Sequence, residues 1–140
     1  MYSIEEFDIQ KTKVFKYIMF KKRTEYEIRN KFRLQIEENM LEDIIEYLKE
    51  AGYINDYNFI EKQVNEYMNL KSMSIQEIKY KLMGKGLERK LIDKYIQEHY
   101  EELKEYEAKS SEKIKQKKAN QMDEKEIQQY LYKKGYKIEE

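Results

Sequence analysis

Residues 74–82 are Ser-Ile-Gln-Glu-Ile-Lys-Tyr-Lys-Leu, and the same pattern occurs at residues 24–32 and 123–131. Each copy begins with an oxygen-bearing side chain, has glutamate three residues later, and places apolar residues four apart. An oxygen followed by glutamate at that distance is a capping box, which starts a helix whose apolar residues share one face. The copies begin at positions 24, 74 and 123, so they are 50 and 49 residues apart. This interval is typical of a helical repeat protein.

The composition indicates a folded, almost entirely helical chain. Of its 140 residues, 40% are charged, which is far above the average for globular domains. Another 40% are hydrophobic, and these are enough to build a core. The chain has no proline, and its four glycines lie at or just beyond the ends of apolar-periodic segments, where helices stop. It has no cysteine either, which excludes disulfides and thiolate metal sites.

The N-terminal residues and the hydropathy pattern predict a cytoplasmic protein. Residues 1–6 are acidic, whereas a secretory signal begins basic and continues apolar. No stretch approaches the ~18 uninterrupted apolar residues of a membrane span. We therefore expect no membrane partner.

Apolar residues at helical spacing predict helices between the capping boxes as well. These helices are expected over residues 9–22, 39–52, 57–70, 91–103 and 107–121. The first is expected to bury Val14, Phe15, Ile18 and Met19. The last has only Ala108, Ile114 and Ala119 as apolar anchors, and we expect it to pack loosely.

Together these segments predict an all-α fold, an elongated and curved array of tandem three-helix repeats. The repeats are expected at residues 1–54 and 55–103, with a partial third at residues 104–140. Gly52-Tyr53-Ile54-Asn55-Asp56 joins the first two. Its glycine supplies a left-handed turn, its two apolar residues fold back onto the core, and Asp56 caps the next helix.

Charge is sorted along the chain although the formal net charge is zero. Residues 11–34 hold nine basic and two acidic side chains, a net charge of +7, whereas residues 37–56 hold one basic and seven acidic ones, a net charge of −6. Clustered Lys and Arg speed association with polyanions and acidic surfaces, so the basic cluster is the predicted contact surface. The alternative is a set of solvated helix faces and helix-dipole partners. The candidate contact residues are Lys13, Lys16, Lys21, Lys22, Arg23, Arg29 and Arg33, with Lys79, Lys81 and Lys85 in the second repeat.

The other polar and aromatic residues favour structural roles. Lys113, Lys115, Lys117 and Lys118 indicate a surface helix rather than a nucleic-acid stripe, because no arginine or aromatic residue lies among them. The acidic helices are expected to offset their basic neighbours, and tyrosines at apolar positions are expected in the core. His99 has no Cys or Ser partner that would indicate catalysis. We expect a protein that is not an enzyme.

The chain resembles the RecX family, the bacterial regulators of the RecA recombinase. One family phrase is matched by Ser74, Glu77, Ile78, Lys81, Leu82, Lys85 and Gly86, and a second by Gly52, Tyr53, Ile54, Asn55, Asp56 and Phe59. The resemblance covers about residues 11–138. It implies a crescent of helices that lies in the groove of the RecA nucleoprotein filament and inhibits strand exchange and coprotease activity. We expect no cofactor, no metal and a monomer.

A second hypothesis is a module of tandem helix-turn-helix-like units that binds DNA directly. Direct binding would be tight and would fall steeply with salt, whereas zero net charge predicts weak DNA affinity without RecA. A third hypothesis, a passive helical scaffold, predicts neither activity.

Overall fold

The computed structural model describes residues 2–70 and 72–137, and these residues form eight α-helices and no β-strand. The helices are α1 (Ile4–Phe20), α2 (Glu25–Phe32), α3 (Glu38–Glu50), α4 (Asp56–Leu70), α5 (Ile75–Gly84), α6 (Arg89–Glu98), α7 (Tyr100–Lys118) and α8 (Glu124–Lys133). The predicted all-α fold is confirmed. No helix in the described ranges is long and apolar enough to cross a bilayer. The last three residues of the predicted third repeat lie outside the described residues.

All three predicted capping boxes form, and they begin α2, α5 and α8. The side chains of Thr24 and Asp123 each accept the backbone N–H of the glutamate three residues later, whose carboxylate accepts the N–H of the cap residue. At the start of α5, the Ser74 hydroxyl accepts the Glu77 N–H at 3.1 Å, and the Glu77 carboxylate accepts the Ser74 N–H at 3.0 Å. Each box satisfies backbone amides that a helix start leaves open, so these three starts follow from local sequence.

The first helix differs from its predicted bounds at both ends. It begins at Ile4, earlier than expected, because the Ser3 hydroxyl accepts the Glu6 N–H and caps it. It ends at Phe20, and Lys21 is already in an extended conformation. The cations expected in the last turn of this helix therefore lie in the segment that follows it.

A break at His99 separates α6 from α7 inside a segment predicted to be one helix. His99 leaves the helical conformation, and both its N–H and its Nδ1 lie 3.0 Å from the Tyr95 carbonyl oxygen. Its ring also stacks on the Tyr95 ring with centroids 4.0 Å apart. Leu103, predicted in the earlier helix, consequently belongs to α7.

The buried face of α7 also differs from the predicted one. Of the expected anchors, both alanines are exposed and Ile114 is half-buried. The buried residues are Leu103, Tyr106, Glu107 and Ser110. The Tyr106 hydroxyl donates to the Met73 carbonyl at 2.6 Å, and the Ser110 hydroxyl lies 2.7 Å from that of Tyr136. Because half of this face is polar, apolar periodicity did not reveal it.

The described chain divides into two compact units. One contains the described residues through Phe59 together with Lys85–Leu87, and the other contains the remaining described residues. In the first unit, α1, α2 and α3 pack pairwise against one another. Their core consists of Val14, Ile18, Ile28, Phe32, Ile36, Met40, Leu41, Ile44, Ile45, Leu48 and Ile54. In the second unit, α7 contacts α6 and α8, and Ile127, Leu131 and Tyr136 form a smaller core.

Each unit contains a joint in which one cap hydroxyl serves two partners. In the first unit, the Thr24 hydroxyl accepts the N–H of its own helix and donates to the Lys85 carbonyl, 61 positions along the chain, at 2.9 Å. In the second unit, the Ser74 hydroxyl accepts in the same way and donates to the Lys134 carbonyl, 60 positions along, at 2.5 Å. The same long-range hydrogen bond therefore recurs about one repeat length later.

A glycine follows each accepting carbonyl and permits the close approach. Gly86 and Gly135 have φ values of +81° and +91°, in the left-handed region. A Cβ atom at Gly86 would lie 2.1 Å from the Tyr26 ring, and one at Gly135 would lie 2.7 Å from the Gln76 Cβ. Gly52 has a similar φ of +84°, but a Cβ there would meet nothing within 4 Å.

Replacement of Gly86 by alanine should destabilise the protein more than replacement of Gly52 by alanine. Both changes carry the backbone cost of a left-handed L-residue, about 1–2 kcal/mol, whereas only Gly86→Ala adds a steric clash, for which overpacking costs are about 1–3 kcal/mol. Urea unfolding of the two variants measures the difference. Equal midpoints would show that the joint at Gly86 is not closely packed.

The Ser74 hydroxyl should be required as a donor and not only as a cap. Aspartate caps a helix as well as serine does, but its carboxylate has no proton to donate to the Lys134 carbonyl. We expect Ser74→Asp to cost about 1–3 kcal/mol, the range for an unsatisfied buried acceptor, and Ser74→Thr to cost much less. The free energy of unfolding of the two variants tests this. A Ser74→Asp protein as stable as Ser74→Thr would contradict the joint.

Candidate protein-interaction site

Residues 21–23, here called the basic segment, belong to the predicted contact surface and connect α1 to α2 in the first unit. Lys21 is exposed, and the Lys22 ammonium donates to the Asn58 side-chain oxygen at 3.0 Å. The guanidinium carbon of Arg23 lies 4.2 Å from the centre of the Tyr17 ring, a cation–π contact that holds the arginine in place. Its Nε is buried and has no hydrogen-bond acceptor within residues 2–70 and 72–137. Because Nε is buried, the terminal nitrogens of the Arg23 guanidinium are the donors that a ligand would contact.

Two of these cations border a cleft of about 330 Å³ in the first unit, here called the junction cleft. Its walls come from the end of α1, the turn after α3 and the start of α4. The lining residues are Ile18, Met19, Lys22, Arg23, Gly52, Tyr53, Asn55, Asn58 and Phe59. The basic segment and the Gly-Tyr-Ile-Asn-Asp junction, two separate features of the sequence, thus meet at one place.

Local hydrogen bonds explain the shape of the junction. With Gly52 in the left-handed region, the N–H groups of Tyr53 and Ile54 both reach the Leu48 carbonyl, at 2.9 and 3.3 Å, and end α3. Ile54 is buried, as predicted. Tyr53 remains 49% exposed. Its ring and the Phe15 ring form a T-shaped pair with centroids 4.9 Å apart.

The helix cap at the junction differs from the prediction. Asn55, and not Asp56, accepts a first-turn amide of α4, since its side-chain oxygen lies 3.0 Å from the Asn58 nitrogen. The Asp56 carboxylate instead accepts the Glu25 N–H at the start of α2, at 3.0 Å. Asn55 and Asn58 are cleft residues that the sequence analysis did not select, although both lie in or beside the junction motif.

Two predicted contact residues are engaged in ion pairs within their own units. Arg29 donates to both oxygens of Glu42 at 2.6 and 2.8 Å, a bidentate pair between α2 and α3. Lys79 lies 2.6 Å from Asp93, an equivalent pair between α5 and α6. Part of the sorted charge is therefore compensated inside the protein, as expected for the acidic helices.

The pair at Arg29 belongs to a larger network. Glu25 binds Arg29 at 3.1 Å and Lys49 at 2.9 Å. Burial favours a higher pKa for the Glu25 carboxyl, but the hydrogen bonds from Lys49 and Arg29 outweigh it and hold that pKa below its ordinary value. The hydrogen bond from Arg29 also lowers the pKa of Glu42, and the one to Glu25 raises the pKa of Lys49. These charged groups tie α2 to α3.

The remaining predicted contacts are exposed or lie near aromatic rings. Lys13, Lys16 and Arg33 are exposed in the first unit. The Lys85 ammonium lies 5.9 Å from the Phe59 ring, and the Lys81 ammonium, in the second unit, lies 5.8 Å from the Tyr67 ring. Lys22 and Arg23 are thus the predicted residues that meet in the junction cleft. Among the described residues, no group of three acidic or histidine side chains has the arrangement of a metal site.

Comparisons with known proteins find relatives that are named regulatory proteins. No protein-family model matches the sequence. The chain is similar to Regulatory protein RecX of Clostridium beijerinckii, 35% identical over 131 residues that cover 84% of this chain and 57% of that protein. Proteins of the same name from Caldanaerobacter subterraneus and Staphylococcus carnosus are 28% and 27% identical, with 92% and 94% of this chain covered and 65% and 54% of the relatives. The chain therefore spans about half to two thirds of the length of these relatives.

Solved structures with the same name share the fold. The crystal structure of RecX from Lactobacillus salivarius superposes with a TM-score of 0.80 at 23% identity, over 97% of this chain and 92% of that one. A second crystal structure, of a regulatory protein RecX, superposes with a TM-score of 0.75 at 24% identity, over 94% of this chain and 68% of that one. These structures share the fold, and the three curated relatives align with 84% to 94% of this chain. By sequence, this chain is similar to regulatory proteins RecX over most of its length, and by fold it matches two RecX crystal structures.

Proposed function

We propose that the protein binds the RecA nucleoprotein filament and inhibits its recombinase and coprotease activities. The observation that carries this proposal is the exposed basic surface of the first unit, which lies next to the junction cleft. The relatives are named regulatory proteins, and the resemblance to their family implies RecA as the partner. The protein acts by binding and not as an enzyme. We also propose that it is a cytoplasmic monomer without a cofactor.

The exposed cations supply the attraction in this proposal. A nucleoprotein filament presents DNA phosphates and acidic protein surface, and a basic cluster speeds encounter with both. The exposed candidates in the first unit are Lys13, Lys16, Lys21, Lys22 and Arg33, and the half-buried Arg23 lies beside Lys22. Lys81 and Lys85 remain candidates. The ion pairs of Arg29 and Lys79 favour a structural role for these two residues.

The direct test adds the full chain to RecA assembled on single-stranded DNA. We expect ATP hydrolysis and strand exchange to fall at amounts stoichiometric with RecA. Unchanged rates would exclude the proposed function. Binding to DNA alone, measured across a salt series, separates the alternative DNA-binding function, because direct phosphate contacts would give tight binding that falls steeply with salt.

Charge reversal in the basic segment should weaken inhibition without unfolding the protein. We expect Lys21→Glu, Lys22→Glu and Arg23→Glu, made together, to raise the amount needed for half-inhibition at least about tenfold, which corresponds to about 1.4 kcal/mol. Reversal of Lys113, Lys115 and Lys117 to glutamate is the matched control, since it makes the same charge change on exposed residues of α7. Circular dichroism checks that helicity is kept in both variants. Equal inhibition by both variants would show that the contact surface lies outside the basic segment.

A further inference from the structure

We infer that the junction cleft binds a carboxylate side chain, with an apolar neighbour, from an acidic segment of a protein partner. This inference rests on the proposed function and specifies which chemistry of the partner the first unit recognises. Three features of the cleft carry it: its charge, its positioned guanidinium and its apolar wall.

The charge of the cleft favours an anion. Its nine lining residues include the cations Lys22 and Arg23 and the amides of Asn55 and Asn58, but no aspartate or glutamate. The amides supply additional hydrogen-bonding groups beside the two cations. An anionic group would therefore enter a cleft that presents donors and no like charge.

The guanidinium of Arg23 indicates the geometry of that anion. Arg23 is positioned through its guanidinium contact with Tyr17, and its Nε is buried without an acceptor among the residues described. A guanidinium presents two parallel N–H groups that match the two oxygens of a carboxylate. The same unit already uses this geometry, since Arg29 binds both oxygens of Glu42. A carboxylate in the cleft would be bound by the two terminal nitrogens of Arg23 in the same way.

The apolar wall favours a protein partner over nucleic acid. Ile18, Met19, Tyr53 and Phe59 line the same cleft as the two cations. Met19 is 61% exposed, and the adjacent Phe20 is 85% exposed, so a partner would bury apolar surface beside the charged contact. Met19 is aliphatic and suits a peptide side chain next to a carboxylate, and a nucleobase stacked on the exposed ring of Tyr53 is the alternative that (dT)4 tests.

The test follows the side-chain N–H resonances of arginine in the ¹⁵N-labelled full chain while short peptides are added. The probes are acetyl-Leu-Glu-Leu-amide, its neutral counterpart acetyl-Leu-Gln-Leu-amide, and the oligonucleotide (dT)4. The Arg23→Lys variant identifies the Arg23 signal by its loss. We expect the glutamate peptide to shift this signal and to bind at least about tenfold more tightly than the glutamine peptide, with no shift from (dT)4.

Each other outcome overturns the inference. Equal binding of both peptides would show that the carboxylate is not recognised, a shift from (dT)4 alone would indicate a nucleic-acid site, and no shift would exclude a ligand at Arg23. Backbone amide signals report peptide binding in two variants. Arg23→Lys should lose at least about tenfold in affinity because lysine lacks the two-pronged donor, and the control Lys113→Gln should bind as the original chain does.

The peptide measurement does not involve RecA, so the two proposals fail separately. Peptide binding without inhibition of RecA would leave the cleft assignment intact and remove the proposed function. Inhibition of RecA that is unaffected by Arg23→Lys, with no peptide binding, would leave the proposed function intact and remove the cleft assignment.

Discussion

The structure depends on a hydroxyl group that makes two hydrogen bonds at once. At Thr24 and at Ser74, the side-chain oxygen accepts the first-turn amide of its own helix and donates its proton to a carbonyl about 60 positions further along. The first bond starts a helix, and the second attaches that start to a distant turn. Both residues are fully buried, so a lost partner at either would leave an unsatisfied polar group away from water. This double role explains why a hydroxyl residue, and not any helix cap, occupies these positions.

Asp123, the cap residue of the third copy, shows why the long-range hydrogen bond needs a hydroxyl group. Asp123 caps α8 through a complete capping box, but an ionised carboxylate has no proton to donate. It therefore caps its own helix but cannot donate a hydrogen bond to a distant carbonyl. The glycine after each accepting carbonyl is needed for the same long-range hydrogen bond. Tyr26 and Gln76, each two residues after a cap, occupy the space that a Cβ atom would need.

Features that depend on residues close together in the sequence were predicted, whereas features that depend on distant residues were missed. The starts of α2, α5 and α8 were predicted correctly because a capping box involves residues three apart, and the buried Ile28, Ile78 and Leu131 followed from helical spacing. Long-range partners gave no such signal. The break at His99 was missed because the residue binds back to Tyr95, and no glycine or proline marks it. At the site, Lys22 and Arg23 were selected from charge, whereas Asn55, Asn58 and the support from Tyr17 became visible only in three dimensions.

The distribution of charge connects this architecture to binding. A net charge of zero suggests little attraction to any partner, but the pairs of Arg29 with Glu42 and of Lys49 with Glu25 use acidic groups of α2 and α3 within the fold. Exposed pairs contribute at most about 1 kcal/mol each, so their effect on stability is modest. Their larger effect is on the distribution of the remaining charge. Compensation between α2 and α3 leaves the basic surface of α1 and the segment after it facing solvent, next to a cleft with no acidic lining. A neutral chain thereby presents a local positive surface, which is suited to one contact and not to general attraction to polyanions.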